Sequence, residues 1–314
     1  AEGATTMITQ VYLEADGGYT STLNKTGGTI TTLKIAQDVD ATHTSVQTIS
    51  NPGGGTYGSY SKVAKIGDVY YDTLAAAFAA VTDDSDTTIE VLKSSTGAGI
   101  VVPSGKKITV VFKGNSYTVV DGPGAGSAGT QNQVFQLLKD STIVFKDGVI
   151  GVGNENATLN TYYRVIQNYA NLTLENMEIK GENLKTYNNF TNSVIESCNG
   201  TVSLTGSTKI LDASDSTNAI KAINVDAWNG NYPSGTQLTV NLSNDGEIGT
   251  IYCFTEGSGN AAASTLKIQA GKVNNLEVAE GNTVTVTKEA TATVTPPEGY
   301  YWKNDTDLTK AVAT

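Results

Sequence analysis

The chain is poor in charge: of its 314 residues, 16% are Asp, Glu, Lys or Arg, where about 25% is usual for a soluble domain. What charge there is leans acidic, 31 Asp and Glu against 20 Lys and Arg, for a formal net charge of −11. Arg164 is the single arginine and His43 the single histidine. Each shortage excludes something. A nucleic-acid surface needs clustered Lys and Arg to neutralise phosphates, so no nucleic-acid partner is expected. A histidine-built metal centre or a Ser–His–Asp triad would rest on His43 alone. The longest apolar candidate for a membrane helix, TLAAAFAAV at 73–81, is half of the ~18 residues such a helix needs, so no membrane insertion is expected. In place of charge stand 45 Thr, 26 Asn and 33 Gly. With 39% hydrophobic residues and 15 Tyr there is enough apolar surface to bury a core, which disorder would not supply.

Repetition organises the chain from about residue 87 onward. A β-run of alternating apolar residues, a polar turn with Gly or Asn, and a second short β-run recur. They read KKITVVFKGNSYTVV at 106–120, DSTIVFKDGVIGV at 140–152, ANLTLENMEIKG at 170–181 and GTVSLTGSTKIL at 200–211. TQLTVNLSNDGEIGTI at 236–251, STLKIQAGKVNNLEV at 264–278 and a weaker NTVTVTKEATATV at 282–294 continue the series. Anchored on Phe112, Phe145, Leu174, Leu204, Val240, Ile268 and Val286, the steps centre near 30 residues. A third strand falls between anchors: VFQLL (134–138), RVIQNY (164–169), SVIESCN (193–199), NAIKAINV (218–225) and GTIYCF (249–254). Strands this short cannot bury a face alone, so the units must stack on one another. Three parallel strands per turn make an all-β solenoid, a right-handed parallel β-helix of about seven coils and, at ~4.8 Å per coil, on the order of 34 Å long. Thr, Ser and Asn then surface the sheets, while Asn and Gly fill turns that require positive φ.

Four regions follow. Residues 1–62 form an N-terminal β segment or small module with a linker. Two strand-like runs, MITQVYLEA (7–15) and TTLKIAQDV (31–39), precede the linker-like NPGGGTYGSYSK (51–62). Residues 63–86 hold a capping helix. Asp72 is its candidate N-cap, and Leu74, Ala77, Phe78 and Val81 recur at helical spacing; a solenoid's first coil needs such a cap. Residues 87–294 are the β-helix, and 295–314 a C-terminal cap with Trp302. The small polar start AEGATT fits cleavage of a signal peptide at a small-residue site; an arbitrary boundary gives the same start. Few cysteines, one arginine and abundant Thr, Asn and Gly suit a bacterial protein that is secreted or held at the cell surface.

The stretch IGDVYYDTLAAAFAAV (66–81), followed by TTIEVLK (87–93) and GKKITVVFKGNSYTVV (105–120), resembles the opening of pectin-lyase-like β-helix proteins of bacterial surfaces. In that group "I-G-x-x-Y-x-T-L-x-x-A" precedes "T-I-x-V-L-K", and a "G-K-x-I-T" turn starts the next coil. The resemblance covers roughly residues 63–294 and speaks to fold more than to function, since the group includes pectate lyases and polygalacturonases beside adhesins and phage fibres without catalytic residues.

Three chemistries can be weighed. Hydrolysis of the polygalacturonase type needs paired carboxylates, carried in that family by N-T-D, D-D and G-H-G motifs that do not occur here in that arrangement. DDSD at 83–86 reads as a solvated acidic turn. A lyase abstracts a proton beside a uronate carboxylate, with an Arg or Lys base near Ca²⁺ held by Asp and Glu. Its candidates would be Arg164 as base with Glu175 and Glu196, Glu178 lying nearby in sequence, and Ca²⁺ as cofactor under that reading alone. The bland alternative pairs Arg164 with an adjacent carboxylate. Sugar binding needs exposed rings beside hydrogen-bonding groups, and NVDAWNGNYPSGT (224–236) offers Asp226, Trp228, Asn229, Asn231 and Tyr232 in an apparent insertion. Tyr162, Tyr163 and Tyr187 would extend the same surface, unless the loop packs Trp228 down onto the coils.

Register also decides the cysteines. Cys198 and Cys253 occupy the third strand two coils apart, ~9.6 Å, beyond the ~7 Å that a disulfide spans; two free, buried thiols are expected. The leading expectation is a non-catalytic, secreted or cell-surface β-helix protein, an adhesin or carbohydrate-contacting module with no cofactor and no metal, whose partner is a glycan or host-surface ligand. A lyase on uronic-acid glycans, which the net charge of −11 would repel, and a purely structural stalk or fibre subunit are the alternatives.

Overall fold

The computed structural model describes residues 7–13, 20–24, 28–35, 46–50, 62–120, 123–126, 131–153, 162–186, 192–215, 218–226, 235–253, 263–279, 282–287, 289–295, 300–302 and 311–313. The fold is all-β, with its main sheets parallel. From residue 86 the strands fall into three parallel columns, and the chain visits each column in turn before returning to the first.

The first column stacks Asp86–Val91, Lys107–Val111, the opening of Thr142–Val152, the opening of Asn171–Lys180, Gly200–Gly206, Thr236–Leu242, the opening of Thr265–Val278, and Thr283–Val286. The second stacks Ser95–Gly97, Ser116–Val119, the later parts of Thr142–Val152 and Asn171–Lys180, Lys209–Ile210, the start of Glu247–Cys253, the middle of Thr265–Val278 and the start of Ala290–Thr295. The third stacks Ile100–Val102, Gln133–Leu137, Arg164–Asn168, Ser193–Ser197, Ala219–Val225, and the ends of Glu247–Cys253, Thr265–Val278 and Ala290–Thr295.

Like side chains stack on like. Val110, Phe145, Leu174, Leu204, Val240, Ile268 and Val286 are successive register partners along the first column. The first anchor read from sequence, Phe112, is therefore two residues out: Val110 faces Phe145. Alternation keeps both on the inward side, and Phe112 instead meets the Phe145 ring edge-on at 6.2 Å. In the third column Phe135, Ile166, Ile195, Ile223, Ile251 and Leu276 form the matching inner row. Here the residue before each of the first four, Val134, Val165, Val194 and Ala222, also enters the core, so strict alternation breaks at the start of these strands. Each fully buried Leu, Ile or Phe contributes about 1.5–3 kcal/mol.

Left-handed residues make most corners between the first and second columns: Lys113 (φ 53°) with Gly114 (φ 82°), Asp147 (φ 57°), Asn176 (φ 53°), Gly206 (φ 63°) and Gly271 (φ 92°). Asn, Asp and Gly tolerate this region best. Gly206 has a second reason, because a Cβ there would collide with Asn176 Oδ1. At another corner a buried polar row is satisfied internally: the Asn168 amide donates to Ser197 Oγ at 2.9 Å, and Ser197 Oγ lies 3.2 Å from Thr236 Oγ1.

The start of the stack is closed mainly by strands. Ala64–Ile66 and Val69–Tyr71 form an antiparallel hairpin, and the former also pairs antiparallel with Asp86–Val91, which covers an edge that would otherwise template another chain. The helix in this region is only Leu74–Ala79. Leu74, Ala77, Phe78 and Val81 are all buried, and the Phe78 ring lies 5.7 Å from that of Phe135. Its N-cap is Thr73, whose Oγ1 accepts the Ala76 N–H at 3.0 Å. Asp72, the expected cap, instead takes the buried Lys62 ammonium at 2.7 Å. Further upstream Met7–Leu13 pairs parallel with Thr29–Ile35, and Thr20–Asn24 with Val46–Ser50. Leu13, Ile30 and Leu33 cluster with Tyr70 of the hairpin. Tyr300–Trp302 and Ala311–Ala313 pair antiparallel near the C-terminus. Among the described residues no helix is long and apolar enough to cross a membrane.

Candidate functional site

Two features outside the core gather polar chemistry. The first lies on the outer side of the third column. Gln136, Gln167, Glu196, Asn224, Tyr252 and Glu277 are successive register partners there. Outward faces elsewhere are solvated, yet Gln167, Glu196 and Asn224 are buried. Arg164 Nε pairs with Glu196 Oε2 across adjacent coils, the neutralisation a buried carboxylate requires. Two residues past Glu196, alternation returns Cys198 to the same side. Asp226 comes level with it on the next coil, because Ser197 pairs with Val225 and the Asp226 N–H donates to Ser197 O at 2.8 Å. The ligand atoms of Glu196, Cys198 and Asp226 lie within 4.8 Å of one another, and all three residues are buried. The Gln167 amide donates to Cys198 Sγ at 3.2 Å. Burial first, then the neighbouring Glu196 and Asp226, push the Cys198 thiol well above its ordinary value, against a smaller opposing pull from Arg164 and Gln167.

Both cysteines are free and buried. Cys253 stands in register with Val225, belongs to the main core, and has its thiol pKa raised chiefly by burial and then by Asp226.

Of the residues a lyase would use, Arg164 and Glu196 meet, and Glu175 does not join them. Glu175 lies in the first column and pairs with Lys146 at 2.7 Å. Arg164 is engaged as an ion pair, with its side chain 17% exposed and that of Glu196 5%. Of the residues assigned to sugar contact, Asp226 is fully buried in the cluster above. Tyr162 is buried within the main core, and Tyr163 is half-buried, its N–H donating to Asn132 O at 3.0 Å. Trp228, Asn229, Asn231 and Tyr232 lie outside the described residues, as does Tyr187.

The second feature is an open groove that begins at the corner between the first and second columns and continues across the second. It consists of two adjoining hollows of about 480 and 330 Å³ that share Glu178 and Lys209. The left-handed corner residues build its floor: the Asn176 amide donates to Asp147 Oδ1 at 2.9 Å, and the Ser207 N–H donates to Asn176 Oδ1 at 3.0 Å. Glu178 and Lys209, both in its lining, are register partners, and the same row continues past the groove to Glu247 and Lys272, which pair at 2.6 Å. The charges alternate in sign at one-coil intervals. Asp212 at the far end is saturated by structure: Oδ1 accepts the Ala222 and Thr250 N–H groups at 2.8 and 2.7 Å, and Oδ2 accepts Thr250 Oγ1 at 2.7 Å.

Sequence reading missed the groove and also the Cys198 cluster. The signals were present, as short turns carrying Gly, Asp or Asn one coil apart and as an E-x-C one coil before an Asp. They become meaningful only once the coil register is known.

Comparison with protein-family models, with curated proteins and with solved structures returns no match for this chain.

Proposed function

We propose that the chain is a right-handed parallel β-helix of the pectin-lyase-like, non-catalytic kind, secreted or held at a bacterial surface, and that it contacts carbohydrate. The carrying observation is the corner groove, an open channel that runs across several coils and repeats hydrogen-bonding groups at the coil spacing of ~4.8 Å, comparable with the length of one sugar unit. Its Glu178 beside Lys209 suits a hydroxyl-rich, uncharged glycan; a polyuronate would meet the carboxylates of Asp147, Glu178 and Glu182 in the lining and a net charge of −11 overall. The Arg164–Glu196 ion pair supports a structural role for the one arginine. A base that must reach a substrate would have to give up this buried partner.

The test is a glycan-binding screen run beside an absorbance assay for unsaturated uronides. Retention of neutral glycans is expected, and Glu178→Ala with Lys209→Ala should weaken it about tenfold or more, the worth of one or two charged hydrogen bonds. Retention that disappears only in Trp228→Ala would move the contact to the 224–236 segment. A chain that retains no glycan is a stalk or fibre subunit. Uronide product that vanishes in Arg164→Ala would replace the binding reading with a lyase.

A further inference from the structure

The geometry points to a zinc site formed by Glu196, Cys198 and Asp226 that clips two adjacent coils together. The three side chains come from two rungs of the third column, Glu196 and Cys198 on one and Asp226 on the next. Their ligand atoms already converge within 4.8 Å and are shielded from water. Zn–S of about 2.3 Å and Zn–O of about 2.0–2.2 Å put ligand atoms ~3.5 Å apart around a tetrahedral centre, so the three atoms would draw together by up to about 1.3 Å, and the fourth position would go to a water.

The donor set selects the metal. Calcium and magnesium take oxygen ligands, whereas a thiolate beside carboxylates suits zinc, and cobalt as its spectroscopic substitute. With the Cys198 proton released, the three ligands carry three negative charges against the Arg164 cation, and a divalent ion brings these groups to neutrality. The surroundings supply the outer contacts that hold ligands in place: Gln167 donates an amide N–H to the sulfur at 3.2 Å, and Arg164 holds Glu196. The metal would fasten the end of Ala219–Val225 to the coil before it.

Protein purified from zinc-supplemented medium without chelators is measured for metal by mass spectrometry and then, after stripping, titrated with Co²⁺. The expected result is one zinc per chain and an intense near-ultraviolet sulfur-to-cobalt band. Cys198→Ala should remove the band and lower metal content at least tenfold; Asp226→Asn should also lower the content, and Cys253→Ala should change neither. Gln167→Leu, which removes only an outer contact, should weaken Co²⁺ affinity by about 10–100-fold. Wild-type protein without stoichiometric zinc and without the band overturns the site, as does a band that survives Cys198→Ala or disappears in Cys253→Ala. If Cys198→Ala does not fold, the wild-type band and its persistence in Cys253→Ala decide the matter.

Discussion

At the scale of single residues, the scarce ones carry the most structure. Arg164 is the one arginine, and it is spent on Glu196 inside a covered face. Removing one partner of such a pair strands a buried charge, so in the metal-free protein Arg164→Ala should cost about 3–5 kcal/mol in urea unfolding. Replacing both partners, as Arg164→Met with Glu196→Gln, should recover most of that loss, because no uncompensated charge is left behind. Cys253 makes a pH prediction. Its folded pKa is raised by burial, so above the ordinary thiol value of ~8.5 the unfolded chain gives up a proton that the folded chain keeps. The contribution of Cys253 is therefore complete below that pH and is lost as pH rises beyond it. In Cys253→Ala the decline of urea stability from pH 8 to 10 should be shallower than in wild type. The pairing of Arg164 with a neighbouring carboxylate was legible in the sequence as an alternative. Its burial was not, because an alternating strand does not say whether its outer face will be covered.

At the scale of elements, the corner turns show how local chemistry sets the path. Asn176 combines a left-handed backbone with a side chain that bridges Asp147 on the coil below and Ser207 on the coil above. Asn176→Gly keeps the backbone and loses the bridge; Asn176→Val loses both and adds the strain of a β-branched residue at positive φ. Thermal melting should rank wild type above Gly above Val. The helix Leu74–Ala79 is too short to stand alone and owes its place to packing: Thr73→Ala should cost about 1 kcal/mol through the cap, whereas Phe78→Ala should cost about 3–5 kcal/mol by opening the core against Phe135. The helical period at 74–81 was legible because four apolar residues share one face. The hairpin that does most of the covering was not, because VAKI and DVYY are too short to show a period. The cap is Thr73 rather than Asp72 because the helix begins at Leu74, and Asp72 instead pairs with Lys62, ten residues earlier.

At the scale of the whole molecule, stability is a sum of neighbour contacts along a stack. Middle coils have a partner on both sides, and the outermost coils have fewer. Backbone amides around Leu174 and Leu204 should therefore exchange hydrogen most slowly and those of Thr283–Val286 faster, measured residue by residue in native buffer. Protection that is uniform along the columns would contradict a stacked, neighbour-coupled architecture. The sequence by itself determined the all-β class, the three-strand phrase and most of the stacking register, because each is set by short-range alternation and by repetition at near-constant spacing. Even the low charge fraction follows, since stacked outer faces are surfaced with Thr and Asn. Only the tertiary structure decided which outward faces are covered, which residues close the first coil, and that Glu196, Cys198 and Asp226 meet. Those facts depend on which residue of one coil lands beside which residue of the next, and a shift of two positions, as between Phe112 and Val110, leaves the alternation intact while changing every neighbour.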